Sequence, residues 1–163
     1  MTGLPDAARR VTAWAAERGV DLDVRVHPDG TRTADDAAAA VGCEVGAIVK
    51  SLVFVVDGAP VVALVPGDRR LDPGKLAAAV GGGRAERADL ETVRAATGFA
   101  AGGTPPFAHA TDVPVVADPG LRRHAPVWAA AGTPTTVFPM DPDRLASLAG
   151  AEWRDVSEGD TAE

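Results

Sequence analysis

A single cysteine, Cys43, stands in 163 residues. One thiol excludes an intramolecular disulfide and a thiol-rich metal site. Tyrosine is absent and aromatics make up 4% of the chain while 46% is apolar, so the core has to be built mainly from Ala, Val and Leu. No apolar run approaches the ~20 residues of a membrane span, and the opening Met-Thr-Gly-Leu-Pro-Asp has no basic segment leading into an apolar one. A soluble cytoplasmic protein with no membrane partner is therefore expected. Positive charge is also short: 16 Lys and Arg face 23 Asp and Glu, a net −7, which argues against a broad non-specific nucleic-acid surface but not against a local basic patch. The three histidines, His27, His109 and His124, match no metal-ligand spacing such as HExxH and read as surface or loop residues. No metal and no cofactor are expected. Neither GxGxxG nor GxxxxGK followed by Ser or Thr occurs, and no Ser-His-Asp or Cys-His spacing suggests an activated nucleophile.

What is present is organised around Ile48 to Val56, Ile-Val-Lys-Ser-Leu-Val-Phe-Val-Val. The run is short, β-branched and apolar on both faces, which predicts a buried strand. Lys50 does not fit it. A buried ammonium is costly unless it is paired or faces a cavity holding an anionic or polar ligand. On the residues alone two readings stand: an edge lysine snorkelling to water, or a ligand-facing cation. Cys43, just upstream, reads as a structural cysteine.

Along the chain, Leu4, Ala8, Val11, Trp14 and Ala15 recur at helical spacing, with Gly19 placed as the stop. Val20, Leu22, Val24 and Val26 alternate with charges, predicting a half-buried strand, and Pro28-Asp29-Gly30 a turn. Thr33 with Asp36 caps a short Ala-rich helix ending at Gly42. Asp57-Gly58 is a hairpin signal with Pro60 to Val65 returning. Asp72-Pro73 starts a helix through Val80, Asp89 caps Leu90 to Thr97 before Gly98, and Asp141-Pro142 starts a helix to Gly150. Val113 to Ala117, Val127 to Ala131 and Thr135 to Phe138 predict further strands. The acidic stretch from Ser157 onward is expected to be disordered. One domain over residues 1–156 is predicted, a mixed α/β fold with a curled, partly open, barrel-like mixed sheet surrounded by helices.

Thr97 to Phe107, Thr-Gly-Phe-Ala-Ala-Gly-Gly-Thr-Pro-Pro-Phe, is the second unusual stretch. Gly102-Gly103 can bring backbone amides close to a ligand, and Pro105-Pro106 stiffens the residues after them. Such a loop can present oxyanion-binding amides, or be simply a rigid turn. Asp118 closes a strand, where ligand-facing acids occur but ordinary caps do too. Arg69, Arg70, Lys75, Arg84 and Arg87, and Arg122, Arg123 and His124, form basic clusters that read as solvated faces or phosphate contacts.

Taken in order, these stretches resemble the YbaK family of aminoacyl-tRNA deacylases, related to the editing insertion of bacterial prolyl-tRNA synthetase. The resemblance runs from Thr33 and the helix to Val41-Gly42, through Ile48-Val49-Lys50-Ser51-Leu52, Asp57-Gly58 and Val65-Pro66-Gly67-Asp68 with Leu71 and Lys75. It continues through Thr97-Gly98-Phe99, Gly102 to Phe107, Val115 to Asp118, Gly132 and Asp143-Arg144-Leu145, covering roughly residues 20 to 150. It implies a hydrolase acting in trans on mischarged tRNA, such as Ala- or Cys-tRNA(Pro). Lys50 would be its catalytic cation; Ser51, Gly102, Gly103, Thr104, Pro105, Pro106, Phe107 and Asp118 would be substrate-binding. The partners implied are the mischarged tRNA 3′ end and a prolyl-tRNA synthetase. Water, or a cysteinyl substrate's own thiol, would be the nucleophile. The chain departs from the family at Pro105, often Ser or Thr, and at Thr133-Pro134, where some relatives are basic. A non-catalytic binding module of the same fold and a small-molecule ester or amide hydrolase are the competing readings. A basic rim around a shared concavity favours tRNA; an acidic rim favours the small-molecule hydrolase.

Overall fold

The computed structural model describes residues 4–27 and 33–158. The expected turn at Pro28-Asp29-Gly30 lies outside them. Helices α1 (Asp6–Ala16), α2 (Ala34–Val41), α3 (Pro73–Ala79), α4 (Leu90–Thr97) and α5 (Pro142–Ala149) surround one sheet. Its strands are β1 (Arg25–Val26), β2 (Ile48–Val56), β3 (Ala59–Pro66), β4 (Ala85–Arg87), β5 (Val115–Ala117), β6 (Val127–Ala130), β7 (Thr136–Met140) and β8 (Glu152–Trp153). The helix boundaries follow local chemistry. Thr33, Asp72, Asp89 and Asp141 each accept a backbone N–H of the first turn, and Gly42, Gly98 and Gly150 close their helices in the left-handed region.

The sheet is mixed and does not close, in the order β1-β7-β6-β2-β3-β5-β8, with β4 on the distal half of β2. The β2–β3 hairpin is its spine. Asp57 and Gly58 both take positive φ, the turn that matches strand twist, and the Asp57 carboxylate accepts the Gly83 and Arg84 amides at 2.9 and 3.1 Å, fixing the approach to β4. Alternation along the hairpin supplies two cores. Val53, Val62 and Leu64 pack with Val11, Val93, Phe138 and Leu145, while Phe54, Val61, Ala63 and Val65 pack on the opposite face with Leu76 and Ala77 of α3. A third cluster sets Ala37 and Ala38 of α2 against Ile48, Trp128 and Val137.

Several expected boundaries shift. Val20, Leu22 and Val24 are covered while their charged neighbours are exposed, yet only Arg25 and Val26 pair, antiparallel to β7. The expected Val113 strand starts at Val115, and the Thr135 strand runs from Thr136 to Met140. The expectation of disorder from Ser157 is corrected for that residue and Glu158. Ser157 is buried and bridges to Leu71, and the Glu158 amide donates to the Arg70 carbonyl at 2.7 Å. Residues 159–163 lie outside the described residues. Among those described, no helix is long and apolar enough to cross a membrane.

Candidate functional site

The site arises where β2 loses its neighbours. On one side β2 pairs with β3 from Val49 to Val56; on the other, β6 covers only Ile48 and Val49, and β4 only Phe54 to Val56. Residues 50–53 therefore face no strand on that edge. The Ile48 carbonyl accepts from Gly67 on the β3 side and the Val53 carbonyl accepts from Ala88 on the other. Strand alternation then turns the Ser51 N–H and C=O toward the gap. The Ser51 hydroxyl is buried and has no hydrogen-bond partner among the described residues. An open stretch of ladder with an unsatisfied hydroxyl beside it is costly in a folded protein and is suited to a polar ligand.

The loop before β5 roofs this gap. Ala101, Gly102 and Thr104 join Lys50, Ser51 and Leu52 around a hollow of about 270 Å³. Its far wall is apolar and rich in alanine: Ala34 and Ala37 from α2, Trp128, Ala129 and Ala130 from β6, and Val137 from β7. The loop is held rigidly. The Thr104 hydroxyl donates to the Ala100 carbonyl at 3.0 Å, and Gly103 is pressed so close to Thr133 that a Cβ there would lie 2.5 Å from the Thr133 Cα. The Gly103 amide already donates to Ala100, so amides offered to a ligand must come from Gly102 or Thr104 rather than from the Gly102-Gly103 pair.

Lys50 occupies the sheet face between the patch covered by α2 and the patch covered by α3, which explains how a lysine survives in an apolar strand. It is half-buried, and its ammonium donates to the Arg69 carbonyl. An ammonium carries three donors, so two remain. Burial pushes its pKa below the ordinary 10.5; Asp68 opposes this, while Arg70 and Arg87 add to it.

The remaining expected site residues lie apart from the hollow. Pro105 and Pro106 are buried behind it. Phe107 stacks on Trp14 at 4.8 Å between centroids and contacts Phe138, inside the main core. Asp118 is buried and accepts the Gly120, Val156 and Ser157 amides at 2.9, 3.1 and 3.2 Å, tying the last described residues to the end of β5. Lys75 supports the same segment through Asp155 and the Ser157 carbonyl. The small walls Ala34, Ala37, Ala129 and Ala130 carried no sequence signal beyond an alanine-rich helix. No cluster of His, Cys, Asp or Glu suited to a metal occurs among the described residues.

His109 braces the loop from behind. Its Nε2 lies 2.8 Å from the Pro105 carbonyl; a carbonyl only accepts, so Nε2 carries the proton. Burial lowers the His109 pKa from 6.5, the hydrogen bond opposing this in part. With its folded value depressed, the unfolded chain binds the proton more readily, so stability is full above 6.5 and declines as pH falls toward the folded value. Urea unfolding at about pH 5 and about pH 7.5 should show that decline in the wild type and a shallower one in His109→Gln.

A family model described as the aminoacyl-tRNA editing domain matches residues 28–148. The chain is 29% identical over 126 residues to EbsC of Enterococcus faecalis, a candidate Cys-tRNA(Pro)/Cys-tRNA(Cys) deacylase, covering 77% of each chain. It is 36% identical over 137 residues to the proline–tRNA ligase of Geobacter sp., covering 83% of this chain and 24% of that ligase, so it spans about a quarter of the synthetase it matches. A solved structure of a candidate trans-editing enzyme for prolyl-tRNA synthetase superposes with a TM-score of 0.91 at 47% identity, covering 96% of this chain and all of the other. The chain belongs to the aminoacyl-tRNA editing domain family, the YbaK-type editing fold.

Proposed function

We propose that the chain is a trans-editing hydrolase that cleaves the aminoacyl ester of mischarged tRNA(Pro) bearing alanine or cysteine. The observation that carries this reading is the convergence of Lys50, the unpaired Ser51 backbone and hydroxyl, and Gly102 and Thr104 of the loop on one hollow with an alanine-rich apolar wall. The alanines at 34, 37, 129 and 130 leave room for a methyl or mercaptomethyl side chain. The Ser51 C=O is placed to accept from the substrate's α-ammonium. Water, or a cysteinyl thiol, attacks the ester carbonyl; the new bond forms at the acyl carbon as its bond to the ribose oxygen breaks, and that oxygen takes up a proton. Charge on the tetrahedral oxygen is met by the Lys50 ammonium and the loop amides, in the manner of an oxyanion site. This chemistry needs no protein nucleophile.

The charged residues lining this hollow and the smaller one beside it are Lys50 and Arg87, with no carboxylate among the described lining residues. That supports a polyanionic substrate over the small-molecule hydrolase. Prolyl-tRNA synthetase would serve as a partner that delivers the mischarged tRNA, offsetting the net −7 of the free chain. Single-turnover hydrolysis of Ala-tRNA(Pro) and Cys-tRNA(Pro) tests the assignment, one ester being expected to decay far faster than in an enzyme-free control. If both persist even with prolyl-tRNA synthetase added, the proline-tRNA assignment is wrong. Preferential cleavage of simple amino-acid esters would instead favour the small-molecule hydrolase.

A further inference from the structure

A second hollow, of about 110 Å³, adjoins the first and shares Ser51, Leu52, Ala101 and Thr104 with it. Its separate walls come from the β4–α4 junction: Arg87, Ala88, Leu90 and Val93. Leu90 is 75% exposed. A lone exposed leucine means little by itself. Here it stands at the lip of a hollow continuous with the candidate site, at the first residue of a helix whose position is fixed. The Asp89 carboxylate accepts the Thr92 amide at 2.8 Å, and Ala88 donates to the Val53 carbonyl at 3.1 Å. Arg87, on the same lip, is exposed. The buried, unpartnered Ser51 hydroxyl lies where the two hollows meet.

An ester has two halves joined at one carbonyl. With the carbonyl at Lys50 and the acyl half against Ala34, Ala37 and Val137, the alcohol half has to leave across Ser51 and Thr104. We propose that the second hollow receives the 3′-terminal nucleoside: the ribose passes Ser51 and Thr104, which line both hollows, the base lies on the apolar face of Leu90, and Arg87 meets the adjoining phosphodiester. The assignment rests on the editing reading above. The hollow has less than half the volume of the first, so it seats the ribose while the base covers its leucine lip. Guanidinium contact with a phosphate positions a strand without reading its sequence, as a site for a terminus common to all tRNAs requires.

The test pairs a titration with kinetics. AMP at millimolar concentration, added to the nitrogen-labelled protein, should shift the amides of Ala88, Leu90 and Val93. Leu90→Ala should raise KM for the mischarged tRNA roughly tenfold with a much smaller change in kcat, the scale of one partly buried leucine, while Leu90→Met restores most of it. Arg87→Ala should reduce the salt dependence of binding by about one phosphate contact. Shifts confined to Ala34, Ala37, Ala129 and Ala130, no shifts at all, or a KM unchanged in Leu90→Ala would overturn the subsite. Those results with an active wild type remove the subsite alone; a wild type that leaves the ester intact removes the editing reading and the subsite with it.

Discussion

Lys50→Ala is expected to lower the single-turnover deacylation rate by about 10²–10³-fold, corresponding to about 2.7–4 kcal/mol for one oxyanion donor. The argument is electrostatic. Lys50 is the only cation lining the larger hollow among the described residues. Arginine should not substitute, since a planar guanidinium on a longer stem cannot reproduce a compact ammonium donating to the Arg69 carbonyl. The fold should survive the change. The depressed pKa means that the charged lysine is less favourably solvated in the folded chain than in water, so Lys50→Met should leave the unfolding free energy unchanged or raise it while lowering activity as Lys50→Ala does. The pH dependence has a definite sign. Activity that needs the ammonium is present below the Lys50 pKa and is lost as pH rises through it, at a pH below the 10.5 of a free lysine. The Cε resonance of Lys50 reports that midpoint directly; a midpoint at or above 10.5 would contradict the burial argument.

Gly103→Ala carries the second large effect, and its neighbour is the control. A Cβ on Gly103 would lie 2.5 Å from the Thr133 Cα and 2.7 Å from its backbone C and N, atoms that cannot rotate aside. The loop would have to lift from the β6–β7 connection, at about 1–3 kcal/mol for overpacking of this kind. It would carry Gly102 and Thr104 away from Ser51, so deacylation should fall at least about tenfold, as expected when donors to an oxyanion are displaced. A Cβ on Gly102 meets only Pro134, at 3.5 Å, an ordinary contact. Gly102→Ala should therefore unfold within about 0.5 kcal/mol of wild type. Equal stabilities for the two variants by urea denaturation would show that the loop is not held by this contact.

The parts of the fold that were legible in the sequence are those whose causes are local. Thr33, Asp72, Asp89 and Asp141 begin helices, each with a proline next in the chain or a glycine closing the far end, because caps satisfy amides within one turn. Ile48–Val56 was readable to the residue because both faces are buried. Ala85–Arg87 and Glu152–Trp153 were missed, being three- and two-residue edges with no apolar alternation, created by the partner strand rather than by their own sequence. In the site, Lys50 announced itself as a charge in an apolar run. The Ser51 gap could not be seen, because it depends on where β6 and β4 end, which are sequence-distant facts. Asp118 and Phe107 are placed away from the hollow for a related reason. A buried acid and a loop aromatic look alike in sequence whether they meet a ligand or hold three amides and a tryptophan, as these do.

The interrupted edge of β2 also defines what kind of small molecule would block the protein. Between β6 and β4 the edge of β2 has no strand partner, with one donor and one acceptor of Ser51 directed at the gap. An extended dipeptide mimic with a non-hydrolysable ketone or amide in place of the ester, a small side chain toward Ala34 and Ala37, and no charge to repel Lys50 would zip the sheet shut beside that lysine. Inhibition would then be an act of β-sheet completion, and its selectivity would reside in how few residues the fragment has rather than in which ones.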